Sequence, residues 1–128
     1  MKNSVVALIF HKDHMENPID IILGVSRKND HNDFGLVGGS VEENETFEEA
    51  IIREVKEETG LIVTSCREIF ELTLPHNGNL ILGKTFLCEV EGEIHTEEPH
   101  VVKWVTWDTL FKGSFGEYNK ALFNHLYN

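Results

Sequence analysis

Short runs of apolar residues separated by turn-forming residues dominate the chain. They predict strands at Val5 to Phe10, Ile19 to Ser26, Leu61 to Leu74, Leu80 to Val90 and Val101 to Thr106. Asn17-Pro18, Pro75-His76-Asn77-Gly78 and Glu91-Gly92 are the turn residues that bound them. One segment repeats with a helical period instead, from about Thr46 to Thr59. Thr46 is a candidate N-cap with Glu49 three residues on, and Gly60 stands where a left-handed C-terminal residue is needed. A second helix is predicted over Glu117 to Tyr127. Five or so strands with two helices, no internal repeat and no low-complexity linker predict an α+β fold, a mixed sheet with helices packed on its faces.

Length and charge narrow this picture. A chain of 128 residues, 41% apolar and 26% charged, is sized for one domain over residues 1–128 and has the apolar content to fold. Its net charge of −11 excludes a general cationic surface for large nucleic acids. The excess is local. Eight glutamates between Glu42 and Glu58 face only Arg53 and Lys56, five more between Glu89 and Glu98 face no base, and the remainder is neutral. The apolar run after Met1 is short and lacks a small-residue cleavage site, so it reads as a buried strand and not a signal peptide. No stretch reaches the roughly 18 apolar residues of a membrane helix. Cys66 and Cys88 are too few and too far apart for a metal knuckle or a disulfide framework, and read as small buried or half-buried thiols. The expectation is a cytoplasmic protein with no membrane partner.

The first helix carries the chemistry. At roughly 100° per residue, Glu54, Glu57 and Glu58 share one arc, and Ile51, Val55 and Ile52 occupy the adjoining arc. A charge run is ordinarily a solvated face. Here, however, like charges three and four residues apart each cost about 0.2–0.5 kcal/mol, and Glu57 and Glu58 sit at the end where the helix dipole disfavours anions. A positive group should offset them, and a hard divalent cation such as Mg2+ takes oxygen ligands and is commonly shared with substrate phosphates.

From Gly39, the sequence runs five residues to Glu45, seven more to Arg53-Glu54-Val55, then Lys56-Glu57-Glu58-Thr59-Gly60-Leu61. This meets every specified position of the Nudix box, G-x5-E-x7-REU-x-EE-x-GU with U bulky and aliphatic, and the chain resembles the Nudix hydrolases. The strands Ile21 to Ser26 and Leu80 to Glu89 and the segment Trp104 to Asp108 extend the resemblance over nearly the whole chain. It departs from the common pattern at Val37, where many members have proline before the two glycines, and at Asn44, where many have glycine. Asparagine best tolerates a left-handed backbone after glycine, so Asn44 can serve the same turn.

The resemblance implies an α/β/α sandwich around a mixed sheet, and hydrolysis of a nucleoside diphosphate linked to a further group. It implies Mg2+ or Mn2+ held by Glu54, Glu57 and Glu58 with the main-chain carbonyl of Gly38, Arg53 bracing Glu57, and Arg53, Glu54, Glu57 and Glu58 as the catalytic residues, with the glutamate that takes the proton differing within the family. The substrate would be a small nucleotide: a nucleoside triphosphate in the manner of MutT, with ADP-ribose or a dinucleoside polyphosphate as the alternative. A nucleotide-binding module that has lost catalysis is the alternative of a different class. Dimers are frequent in the family, which leaves a homodimer open. Glu97 or Glu98 is a candidate additional ligand, because members often place a carboxylate in the corresponding loop.

Weaker signals need weighing too. Phe34, Gly38, Gly39 and Asn119, with its neighbour Tyr118, are candidate substrate contacts, against core packing for the aromatics and helix capping for Asn119. Gly78 to Thr85 spells a P-loop but is flanked by strand-like residues on both sides, which the motif's loop-to-helix context excludes. Asn44-Glu45-Thr46 spells a glycosylation sequon with no secretory signal. His11 and His14 read as surface loop residues, and Glu89, Glu91 and Glu93 alternate on what reads as a solvent-facing edge.

Overall fold

The computed structural model describes residues 1–13 and 21–128. His14, the Asn17-Pro18 turn and the start of the strand expected from Ile19 lie outside the described residues. Nine elements follow in order among those described: β1 (Lys2–Leu8), β2 (Ile22–Arg27), β3 (Asp30–Ser40), α1 (Phe47–Thr59), β4 (Ile62–His76), β5 (Asn79–Glu91), β6 (Val102–Val105), α2 (Trp107–Lys112) and α3 (Gly116–Tyr127). The strands form a mixed sheet in the order β4-β5-β1-β3-β2-β6, parallel only between β1 and β5.

Two of these elements escape the apolar pattern. β3 reads Asp-His-Asn-Asp-Phe-Gly-Leu-Val-Gly-Gly-Ser, a composition depleted in strand formers. Pairing overrides it: Ser4 to Ala7 of β1 register against Ser40 to Val37, and Gly24 to Ser26 of β2 against Leu36 to Phe34. α2 has six residues, too few to show a period, and is started by Thr106, whose hydroxyl accepts from the Thr109 N–H at 3.1 Å. The expected Val5 to Phe10 strand starts earlier, at Lys2, and ends at Leu8.

The chain forms two compact units, residues 1–8 with 37–96 and residues 9–36 with 97–128. In the first, α1 packs on β1 and β4. Both halves of the expected capping box are present. The Thr46 side chain accepts from Glu49 N at 3.0 Å, and Glu49 Oε1 accepts from Thr46 N at 2.9 Å. The helix lays Ala50, Ile51, Val55 and Thr59 inward, and burying a side chain the size of Ile51 is worth about 1.5–3 kcal/mol. Ile52, expected to share this face, is 48% exposed. It lies about 200° round the helix from Ala50, beyond the inward arc. Lys84 of β5 holds the first turn of α1, its ammonium 4.6 Å from the Phe47 ring centroid and 3.2 Å from Glu68 Oε1.

The second unit holds β2, β6, the first part of β3, α2 and α3. Both oxygens of Asp33 accept from Ser114, one from its N–H at 2.8 Å and the other from its hydroxyl. That clamps β3 to the chain between the two helices. Leu110 and Leu122 close the helix pair, each fully buried.

The end of α1 is fixed tightly. The Val55 carbonyl accepts from Thr59 Oγ1 at 2.6 Å, the Lys56 carbonyl from Gly60 N at 2.9 Å and the Thr59 carbonyl from His95 N at 2.7 Å. Gly60 is left-handed at φ 79°, and a Cβ there would run into the His95 carbonyl oxygen. Gly60→Ala therefore loses the roughly 1–2 kcal/mol of the left-handed penalty and more for the clash. Urea unfolding should show a midpoint well below wild type, whereas Gly92→Ala, where nothing lies within 4 Å of the added Cβ, should lose the backbone penalty alone.

Candidate active site

The site is built where β3 ends beside α1. Val41 N donates to Asn3 O at 3.0 Å and Val5 registers with Gly39. By the alternation of an antiparallel ladder, the backbone groups of Gly39 face β1, and those of Gly38 and Ser40 face away from it. The outward groups are the ones α1 uses. Gly38 N–H donates to Glu58 Oε1 at 2.7 Å, and the Ser40 carbonyl accepts from the Arg53 guanidinium at 3.0 Å. On the inward side, Ser4 Oγ donates to Gly39 O at 3.1 Å. Both glycines are there for close approach: a Cβ at Gly38 would strike the Val5 carbonyl oxygen, and one at Gly39 would lie 2.5 Å from Glu54 Oε1.

Helical geometry explains why Glu54 and Glu58 are drawn inward. Counting from Ala50 at roughly 100° per residue, they fall at about 40° and 80°, ahead of Ile51 at about 100°, while Glu57 falls just outside the arc. The Glu54 side chain is accordingly 14% exposed and that of Glu57 51% exposed. Burial pushes the Glu54 carboxyl above its ordinary pKa, helped by the charges of Glu57 and Glu45; the neighbouring Arg53 pulls the other way without cancelling the rise.

Arg53 is the hub. Its Nε lies 2.7 Å from Glu45 Oε2 and one terminal nitrogen 2.9 Å from Glu45 Oε1, a bidentate pair. The other terminal nitrogen is 2.9 Å from Glu54, 3.2 Å from Glu57 and 3.6 Å from Glu42. The expected brace to Glu57 is thus one contact among several, and the strongest partner is Glu45, which sequence reasoning passed over as a site residue. Its fixed place in the box, eight residues before the arginine, was the available signal. The Arg53 hydrogen bond holds the Glu45 carboxyl down at about 2, and Arg53 is itself raised above its usual range by Glu45. Asn44 adopts φ 66°, the left-handed turn expected of it, and Glu42 N donates to Glu45 Oε1 at 2.9 Å to close the loop.

One guanidinium among four carboxylates leaves a large negative remainder. Glu54, Glu57 and Glu58 supply carboxylate oxygens from one helix with the backbone of Gly38 beside them, a donor kind that fits a hard divalent cation. In the side-chain arrangement described, no three His, Cys, Asp or Glu among the described residues are grouped as a metal cage. Arg53 and the Gly38 N–H hold the inward oxygens of Glu54 and Glu58 instead.

The other candidates belong to the second unit. Glu97 is exposed, and Glu98 Oε2 pairs with Lys28 Nζ at 3.3 Å. Phe34 is 4% exposed with the Lys103 ammonium 4.8 Å from its ring centroid. Asn119 is 2% exposed, and its amide nitrogen donates to the Leu110 carbonyl at 3.4 Å. Tyr118 is also buried. In the first unit, the P-loop-like string lies on the Asn77-Gly78 turn and strand β5, as its flanks required. Glu89, Glu91 and Glu93 are all exposed, but β5 is an interior strand and Glu93 lies beyond its end.

Residues 1–126 match the NUDIX domain family model, and the chain belongs to the Nudix family. It is 32% identical over 97 residues to a Caenorhabditis elegans protein provisionally named nudix hydrolase 1, an alignment covering 76% of this chain and 26% of that one. It is 58% identical over 43 residues to an ADP-ribose pyrophosphatase of Methanocaldococcus jannaschii, covering 32% of this chain and 25% of the relative. Each alignment thus spans about a quarter of the relative's length. Among solved structures, a MutT NUDIX hydrolase from Burkholderia pseudomallei aligns with TM-score 0.69 and 25% identity over 84% of each chain. The fold is also that of the Escherichia coli ORF135 protein, at TM-score 0.74 and 20% identity over 99% of this chain and 91% of the other.

The Glu45–Arg53 pair makes stability depend on pH in a defined direction. A carboxylate held at about 2 against an ordinary value of 4.5 contributes stability that is complete above about pH 4.5 and is lost as pH falls toward 2. Glu45→Gln should be less stable than wild type at pH 7, and the gap should narrow steadily below pH 4.5. Urea unfolding of both proteins across that range measures it; a gap constant with pH would show that the pair is not the source.

Proposed function

We propose that the chain is a divalent-metal-dependent hydrolase that cleaves a pyrophosphate linkage in a nucleotide, with water adding to one phosphorus and the other phosphate leaving. The observation that carries this reading is the half-buried Glu54 beside Glu57, Glu58 and the two glycines. It is a cluster of oxygen donors whose charge Arg53 does not neutralise. Glu54, Glu57 and Glu58, with the Gly38 carbonyl, would hold the metal, Mg2+ or Mn2+. When bound, such an ion lowers the pKa of water and neutralises phosphate oxygens.

The chain's own residues do the positioning. Gly38 N–H fixes one oxygen of Glu58 at 2.7 Å and so sets the carboxylate's orientation. Arg53, itself locked by Glu45 and the Ser40 carbonyl, orients Glu54 and Glu57. Gly38 and Gly39 let strand β3 lie close enough to α1 for Glu54 and Glu58 to sit against its main chain. Arg53 and Glu45 are therefore positioning residues, and Glu54, Glu57 and Glu58 are the candidate catalytic and metal-holding ones.

For the substrate, a nucleoside triphosphate cleaved to monophosphate and pyrophosphate is the first reading, supported by the likeness to a MutT hydrolase. ADP-ribose is the second, supported by the 58% identity to an ADP-ribose pyrophosphatase over 43 residues. Phe34 and Asn119 remain candidate substrate contacts, Glu97 and Glu98 candidate further ligands, and the location cytoplasmic.

A panel of oxidised and ordinary nucleoside triphosphates, ADP-ribose, sugar nucleotides and dinucleoside polyphosphates, with products identified, separates these readings. Turnover should require Mg2+ or Mn2+, vanish with EDTA, and fall by about 10²-fold or more in Glu57→Gln and Glu58→Gln. Nucleotide binding without turnover on any substrate would establish the catalytically silent module instead.

A further inference from the structure

Cys66 and Cys88 are 22 positions apart in sequence, yet they are direct register partners across the antiparallel β4–β5 ladder. From this juxtaposition we infer that the two thiols form a disulfide site, closed by a small peroxide or a low-molecular-weight disulfide.

Opposed residues of an antiparallel pair share a face, with Cα atoms about 4.5 or 5.5 Å apart according to their place in the ladder. Both spacings lie inside the range of about 4.4–6.8 Å that a disulfide spans. The Cβ atoms, about 4.5–5.5 Å apart in such pairs, must close toward the roughly 3.5–4.5 Å of a disulfide. The ladder has slack for this, because its register shifts on both sides of the pair, between Val63 and Ser65 and between Glu68 and Phe70. A bulged strand bends locally.

The two thiols differ in access. Cys66 is half-buried and Cys88 only 4% exposed, its Sγ 3.6 Å from the Phe86 carbonyl. Burial pushes the Cys88 thiol up to about 12 and raises Cys66 as well, each fitting a thiol that is protonated and slow on its own. An oxidant therefore meets Cys66 first. With a peroxide, Cys66 sulfur takes one oxygen and becomes a sulfenic acid as the peroxide is reduced to an alcohol or water. Cys88 sulfur then attacks the Cys66 sulfur, the S–S bond forms, and the oxygen leaves as water with the Cys88 proton. Two thiols have lost two hydrogens and two electrons, all accounted for in the reduced peroxide; with a low-molecular-weight disulfide, Cys66 sulfur displaces one of its thiols, Cys88 sulfur then displaces the other from Cys66, and the two protons and two electrons end on the two released thiols. The bond would staple the long β4–β5 hairpin at the end nearer α1, on the face where Cys66 senses the charge of Glu48.

The test uses the full chain treated with hydrogen peroxide or oxidised glutathione, then unfolded, alkylated with N-ethylmaleimide and weighed intact. The expected product has lost the mass of two hydrogens, takes no maleimide, runs as a monomer on a non-reducing gel and returns to two alkylated thiols after dithiothreitol. It should also melt at a higher temperature than the reduced protein. Cys66→Ser should keep its one thiol alkylatable, Cys88→Ser should stop at a Cys66 sulfenic acid or mixed disulfide that dithiothreitol returns to one thiol, and neither should shift in melting temperature on oxidation. Cys66 ending as a stable glutathione adduct, a sulfinic acid or a link between two chains, with Cys88 still alkylatable, would overturn the inference.

Discussion

Most of this site is organised by a single guanidinium. Arg53 lies within 4.0 Å of carboxylates from Glu42, Glu45, Glu54 and Glu57, and hydrogen-bonds the Ser40 carbonyl as well. Its five donors in one plane permit this: Nε and one terminal nitrogen take both oxygens of Glu45, the same terminal nitrogen reaches the strand, and the remaining one is left for the helix. A lysine would supply the charge without the fork. Because Arg53 is rooted in helix α1, the same contacts fix how the helix meets strand β3 and the 41–46 loop. A carboxylate cluster, a turn and a helix orientation are held by one residue.

The cluster exists because α1 is amphipathic in an unusual sense. Its inward arc carries Ala50, Ile51, Val55 and Thr59, and Glu54 and Glu58 fall within the same arc. Carboxylates in such a position cost free energy unless something satisfies them. The protein does so by bringing main chain close: Gly38 donates its N–H to Glu58, and Gly39 lies so near Glu54 that no side chain would fit. Two adjacent glycines in a strand are poor local choices, and with the polar start from Asp30 to Asp33 they make β3 look little like a strand in sequence. The local weakness is the condition for the close approach.

How far the sequence could be read follows from this. The capping box, the left-handed Gly60 and Asn44 and the tight turn at Asn77-Gly78 are local chemistry and were legible residue by residue. Family membership was legible because the box is local too. β3 was not, since its stability comes from pairing on both sides and not from its composition. Glu45 was marked by its fixed place in the box, but that it, of eight glutamates, is the one that takes the arginine's fork emerges only from the fold. The pairing of Cys66 with Cys88 was hidden for the same reason: separation along the chain says nothing of register, and a hairpin with two bulges decides which residues stand opposite.

The acidity of the chain is then more informative than its total suggests. At an effective dielectric of about 20, two unit charges 4 Å apart interact by about 4 kcal/mol, so a polyphosphate approaching Glu54, Glu57 and Glu58 meets a repulsion that Arg53, already committed to Glu45, does not lift. Folding alone has no use for that imbalance. Neutral residues at those positions of α1 would remove both the i,i+4 repulsion and the burial cost that raises the Glu54 carboxyl. A protein that keeps such charges, and spends its best cation orienting them instead of neutralising them, has an arrangement suited to a positive ligand arriving from outside, one that turns carboxylate and phosphate from repelling groups into common ligands.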